Sequence, residues 1–182
     1  MGEPTPHAPA RRIVAAFSRY AAALEWARGE ATAVWGPISL ASDLFHFRET
    51  DYYHATMGDD LLKVFWVFER PMDLAELVAD KLLSGTLEAA YAKLQRHPEP
   101  RPLNLDPGYL TSAKLVLAST KDHAHRIYLS RGIYAEVTLH YQQRSWRRHE
   151  WTFPDYRRAD YQEFFTHARD QLRRQERQER PK

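Results

Sequence analysis

Between Leu61 and Glu69 the side chains of Leu62, Val64, Phe65, Trp66, Val67 and Phe68 are apolar on both parities of an extended chain. A strand built this way has no face to turn to water, so it predicts a central strand of a sheet. The rest of the sequence is read around it.

Ile13 to Phe17 is a short apolar run of strand length, and Tyr20, Leu24, Ala27, Ala31 and Val34 then recur at helical spacing. Ser18 is placed to cap that helix, and Gly36-Pro37 stops it. Leu44 to Phe47 predicts another strand, followed by an irregular aromatic stretch, Asp51-Tyr52-Tyr53-His54. After the central strand, Pro71 and Asp73 open a second helix, with Glu76 placed as in a capping box and Leu74, Leu77, Val78 and Leu82 as its core stripe. Ser84-Gly85-Thr86 is expected to bend or restart it, and a strand follows around Leu103 and Leu105. The order is β-α-β-β-α-β, which predicts an α+β fold with a ferredoxin-like core, two helices covering one face of an antiparallel sheet.

Asp106-Pro107-Gly108 suits a type II turn, which would reverse the chain there. Thr111 to Ser119 reads as a capped helix or a strand, and helix is the reading taken, because a run as short as Leu115-Val116-Leu117 has no periodicity to decide it. Ile133, Ala135, Val137 and Leu139 alternate with Tyr134, Glu136, Thr138 and His140, which predicts a half-buried strand. A three-residue loop, Ser130-Arg131-Gly132, pairs it with the preceding segment. This register sets Leu129 against Ile133, Ile127 against Ala135, His125 against Val137, Tyr128 against Tyr134 and Arg126 against Glu136, and points His125 with the apolar set. The core is thus extended by a β-hairpin. Trp146, Trp151, Phe153, Pro154 and Tyr156 form an aromatic connector to a C-terminal helix whose stripe is Tyr161, Phe164, Phe165, Ala168 and Leu172.

These elements give a Pro-rich lead-in over 1–10, a single domain over 11–172 and a charged tail over 173–182. The tail interleaves Arg169, Arg173, Arg174, Arg177 and Arg180 with Asp170, Glu176 and Glu179, as a solvated helix does. Hydrophobic residues make up 43% of the 182, enough for a packed interior rather than a disordered chain. With no cysteine, disulfides, thiolate nucleophiles and Cys-ligated metals are excluded. The start lacks the pattern of a signal peptide and no apolar run approaches the roughly 20 residues of a membrane helix, so a soluble, cytoplasmic protein is expected. The 26 basic and 24 acidic residues nearly cancel, so net charge does not by itself indicate nucleic acid.

Longer strings carry a resemblance. Asn104-Leu-Asp-Pro-Gly-Tyr-Leu-Thr111, Lys114 to Asp122, His125 to Leu129, Gly132 to Thr138 and Trp151 to Arg157 resemble a bacterial family known as domain of unknown function 4416. The likeness covers nearly the whole chain, most closely its second half. It implies a stand-alone bacterial protein of this length and assigns no catalytic residue.

Phosphate loops of the Gly-x-x-x-x-Gly-Lys type, Gly-x-Gly-x-x-Gly turns, Gly-x-Ser-x-Gly elbows and His-Glu-x-x-His helices are all missing, which sets aside the common nucleotide hydrolases, dehydrogenases, serine hydrolases and zinc proteases. The densest polar segment is 104–157. Its cations Lys114, Lys121, Arg126 and Arg157, with the Tyr134 hydroxyl, suit a phosphate or carboxylate, while Glu136 and Asp106 are the acid/base candidates. A plainer reading makes Arg126 and Glu136 a cross-strand ion pair, and Asp106 a turn residue. His123 and His125, two apart on a strand, share a side and with Asp122 or Asp155 offer a weak metal option. A structural histidine is the better reading of His125, and no metal is assigned. Two functions result. One is binding of a phosphate-bearing small molecule or nucleotide in a cleft formed by 104–138, with catalysis left open and magnesium implied only if the ligand is a nucleotide. The other is a non-catalytic RNA-binding or protein-interaction module with the Arg144 to Arg148 patch and the tail as contacts; Tyr52, Tyr53, Trp146 and Trp151 could stack bases there, although packing under the connector is the reading taken for them, and Trp66, in an apolar strand, reads as core.

Overall fold

The computed structural model describes residues 2–179. Met1 and the Arg180 end of the charged tail lie outside the described residues. Among them, nine strands form one sheet in which every pairing is antiparallel. The chain runs β1 (Ala10–Ser18), α1 (Ala21–Trp35), β2 (Ile38–Ala41), β3 (Phe45–Phe47), α2 (His54–Met57), β4 (Leu61–Pro71), α3 (Leu77–Lys93), β5 (Asn104–Thr111), β6 (Lys114–Ser119), β7 (Ile127–Ser130), β8 (Ile133–Gln142), β9 (Ser145–Arg148) and α4 (Ala159–Glu179). The strand order is β2-β4-β1-β5-β6-β8-β7, with β3 also on β4 and β9 also on β8.

The two-sided apolar strand is indeed interior: β4 lies between β1 on one side and β2 and β3 on the other. Its two faces feed two cores. Phe65 and Val67, with Ile13 and Ala15 of β1, pack under the α4 stripe Tyr161, Phe164, Phe165, Ala168 and Leu172. Val64, Trp66 and Phe68, with Val14 and Ala16, pack under Leu24, Ala27 and Ala31 of α1 and Leu87 and Tyr91 of α3. The sheet is therefore covered on both faces. Each fully buried aromatic or aliphatic side chain of such a stripe contributes about 1.5–3 kcal/mol.

Several local expectations are corrected. Asp106-Pro107-Gly108 is not a turn but the middle of β5, paired with Ala15, Val14 and Ile13 of β1. Gly108 is required there by a neighbour, since a Cβ would sit 2.1 Å from the Val116 carbonyl oxygen. The chain reverses instead at Ser112-Ala113, where the Thr111 hydroxyl accepts the Ala113 and Lys114 N–H groups. Residues 114–119 are a strand, because Leu115 and Leu117 join the core under α4 while Val116 joins the one under α3.

Helix α3 is unbroken across Ser84-Gly85-Thr86. The Ser84 and Thr86 hydroxyls donate back to the carbonyls of Lys81 and Leu82 rather than ending the helix. Asp73 accepts the Ala75 N–H to start a 3₁₀ turn ahead of it, but Glu76 does not close a capping box; its carboxylate takes Arg12 and Arg70. In α1 the inward residue of the last turn is Trp35, while Val34 is exposed. Strand β2 had no expectation.

In the hairpin, Ile127 faces Ala135 and Tyr128 faces Tyr134, but Ser130 rather than Leu129 faces Ile133. Leu129 is the extra residue of a bulge, and the loop shortens to Arg131-Gly132, both at positive φ. His125 precedes β7, so it has no ladder partner in Val137 and does not point with an apolar set. That set is itself exposed at Ile127 and Leu129, because β7 is a sheet edge.

Candidate functional site

The ladder between β5 and β6 is short. Pairing is confined to Gly108, Tyr109 and Leu110 against Leu117, Val116 and Leu115, and beyond it the two strands part. Pro107 has no N–H to lend to a ladder. Where β6 has left, α3 supplies partners to the β5 backbone: the Leu105 N–H donates to Glu88 Oε1 at 2.7 Å and Lys81 Nζ donates to the Leu105 carbonyl at 3.2 Å. Lys81 reaches on to Asp106 Oδ1 at 2.8 Å.

A cavity of about 400 Å³ opens at this split. Its floor is set by strands: Phe17 from β1, Lys63 from β4, Asn104 and Asp106 from β5, Leu117 from β6 and Glu136 from β8. Glu49 to Tyr53, ahead of α2, form one wall, and Phe153 to Tyr156, ahead of α4, form another. The β6–β7 loop brings Lys121, His123 and Arg126.

The charges on the floor are paired; Lys63 and Glu136 are buried and Asp106 is half-buried. Lys63 Nζ donates to Asp155 Oδ2 at 2.6 Å and lies 4.6–5.9 Å from the ring centres of Phe17, Phe47, Phe65, Tyr156 and Tyr161. Arg126 donates through Nε to Glu136 Oε2 at 2.7 Å and through Nη1 to the Ser119 hydroxyl and the Lys121 carbonyl. Glu136 also has Thr138 Oγ1 at 3.3 Å and His125 Nε2 at 3.2 Å. Burial works against ionisation of Asp106, but the Lys81 charge and hydrogen bond, with Lys63 and Asn104, outweigh it and hold its carboxyl below the usual range.

Two hydroxyls differ. The Tyr156 phenol is buried and its oxygen has no hydrogen-bond partner. Burial, then Asp155, Asp106, Tyr161 and Glu136, push it well up, so it stays protonated. Tyr52, exposed at the rim, takes a hydrogen bond from Lys121 Nζ at 2.5 Å, which lowers its phenol.

A family model described as Domain of unknown function (DUF4416) matches residues 8–172. The chain belongs to that family. Every residue lining the cavity falls inside the matched span of this DUF4416 chain. No curated protein and no solved structure gives a match.

Of the residues singled out from sequence, Asp106, Lys121, His123, Arg126 and Glu136 line the cavity together. Others are elsewhere. Lys114 lies at the far end of β6, opposite His140. Tyr134 stacks edge-on against Tyr128. Arg157 donates to the Thr152 and Glu150 carbonyls and ties down the connector. His123 and His125 sit in the loop before β7, not on a strand, and form a column with Trp151 and His149 at 5.8, 5.3 and 4.7 Å between rings. Among the described residues, no three His, Asp or Glu side chains come together as metal ligands. Trp66 is in the core as expected, and Trp146 is buried too, which withdraws it from any base-stacking surface. No described helix is long and apolar enough to cross a membrane.

Lys63, Lys81, Arg101, Asn104 and Tyr156 carried no functional expectation. Lys63 had a signal: it is the one charge between Leu61 and Phe68, and an ammonium inside a doubly buried strand needs a buried partner. Asp155 was noted only as an acid of the polar segment and as a metal option beside the histidines, and not as the partner of Lys63, which lies 92 residues away.

Proposed function

We propose that this chain binds a small phosphate-bearing molecule, such as a nucleotide, in the cavity at the split end of the sheet. The observation that supports this is the distribution of charge, with a cationic rim above a floor of buried, paired ions. Lys121 has a phenol as its side-chain partner, and Arg126 keeps its Nη2 free of protein acceptors while its other nitrogens are engaged. Both suit an anion arriving at the rim. Buried ion pairs add little net stability, so the gathering of three pairs, Lys63–Asp155, Lys81–Asp106 and Arg126–Glu136, around one cavity fits a binding site better than a structural need.

In this reading Lys121 and Arg126 hold the anion, with Arg101 beside them. Glu136 is the acid/base candidate because Arg126 and Thr138 fix its direction, and Asp106 serves as a standing carboxylate. The half of the sheet ordered β2-β4-β1-β5, with α1 and α3 on one face, supports a ferredoxin-like unit. The cavity then lies where that unit meets the β6–β9 extension.

A thermal-shift titration with pyrophosphate and adenosine monophosphate tests the reading, because a ligand of the native state raises its stability. Lys121→Ala is the clean variant, since Arg126→Ala would strand Glu136 in the interior. Binding is expected to weaken about tenfold or more in Lys121→Ala, the worth of one charge-assisted hydrogen bond. No shift with either compound, or a shift indifferent to Lys121, counts against it.

A further inference from the structure

The floor of the cavity holds more hydrogen-bonding capacity than the protein uses. Asp155 is engaged through Oδ2, and Glu136 Oε1 receives only the Thr138 hydroxyl at 3.3 Å. Each carboxylate oxygen accepts in two directions, so acceptor capacity remains on both, and on Asp106 beyond Lys81 and Asn104. On the donor side stand the buried Tyr156 hydroxyl, which has no protein partner, and the Lys63 ammonium, whose one carboxylate leaves its other N–H groups facing rings.

Asp106, Glu136 and Asp155 are each already matched by a cation, so the interior offers a phosphate no uncompensated positive charge, which keeps an anion at the Lys121 and Arg126 rim. A purely apolar ligand would cover the same groups without satisfying them, and burying polar groups unpaired is unfavourable. Alcohol groups fit, because each hydroxyl both donates and accepts. Phe17, Phe47, Tyr53 and Phe153 supply apolar faces around the polar floor.

Resting on the reading of the cavity as a phosphate site, we infer that the ligand turns neighbouring hydroxyls to Asp106, Glu136, Asp155 and Tyr156 and leaves its phosphate at the rim. The ligand class is a phosphorylated sugar, free or as the ribose of a nucleotide.

The test is calorimetric titration of the intact protein with ethyl phosphate, ribose 5-phosphate, adenosine monophosphate and ribose. Ribose 5-phosphate or adenosine monophosphate is expected to bind at least about tenfold tighter than ethyl phosphate, the worth of one well-made hydrogen bond to a charged group. That gain is expected to vanish in Tyr156→Phe, which removes only the unpartnered hydroxyl, while ethyl phosphate binding stays unchanged, and to fall in Asp106→Asn. Preference for ribose 5-phosphate identifies a free sugar phosphate and preference for adenosine monophosphate a nucleotide, and both sustain the inference. Equal affinity for all three phosphates overturns it and leaves the phosphate site standing. Binding of ribose alone, with no effect of phosphate, sustains the floor and overturns the anion rim. Binding of none of the four compounds overturns both.

Discussion

Lys63 Nζ stands 2.6 Å from Asp155 Oδ2, with both side chains only 4% exposed. The pair joins β4, in the middle of the sheet, to the connector ahead of α4, and so fixes one wall of the cavity to its floor. Five rings surround the ammonium, and their faces offset part of the cost of taking it out of water. Removing either partner leaves the other charge buried alone. Lys63→Met and Asp155→Leu are each expected to cost about 3–5 kcal/mol, while the double variant costs much less than their sum. Urea unfolding of the three variants measures this, and additive losses would show that the pair is not coupled.

Gly108 allows β5 and β6 to touch before they part. Gly108→Ala drives a Cβ into the Val116 carbonyl and is expected to destabilise by about 1–3 kcal/mol or more. Gly85, inside α3 with open space around it, gives the contrast: Gly85→Ala is expected to stabilise by about 0.5–1 kcal/mol. Thermal melts of the two variants should move in opposite directions.

These two glycines also show what the sequence could tell. Gly85 beside Ser84 and Thr86 reads locally as a breaker, yet the helix continues because its neighbours bond their own helix and the sheet supports its face. Gly108 after Pro107 reads as a turn, and only the approach of another strand explains it. The alternation from Ile133 to His140 was legible as apolar against polar, although the structure buries Glu136 and Thr138 of the polar face as well, and it carried the Arg126–Glu136 pairing with it. The Leu115 to Leu117 strand was not legible, since three residues buried on both faces carry no period. Part of the site was hidden for a related reason: Lys63 and Lys81 meet Asp155 and Asp106 across the fold, and local pattern does not encode such partners.

Asp106 makes acid stability a readout of the floor. Its carboxyl titrates below the unfolded value of about 3.9, because Lys81, Lys63 and Asn104 outweigh its burial. The unfolded chain therefore takes up this proton first as pH falls. The stabilisation is present above about pH 4 and is lost as pH drops through the folded value. Urea midpoints between pH 5 and pH 2 should fall less steeply in Asp106→Asn than in the parent, and identical slopes would contradict the assignment.

Glu88 replaces a missing strand. Its Oε1 takes the Leu105 N–H at the point where β6 has left β5. Glu88→Ala is expected to speed hydrogen exchange at the Leu105 amide and to cost about 1.5–3 kcal/mol, the worth of a hydrogen bond to a charged acceptor. Unchanged exchange at Leu105 would mean that another group protects it.

The central claim is that the split end of the sheet takes a phosphate-bearing ligand, and amide chemical-shift mapping of the isotope-labelled protein during titration with adenosine monophosphate and ribose 5-phosphate tests it most directly. The account predicts saturable shifts at Ser119 to Arg126 and at Glu49 to Tyr53, lost in Lys121→Ala. Shifts confined to Arg144–Arg148, or none anywhere, would contradict it.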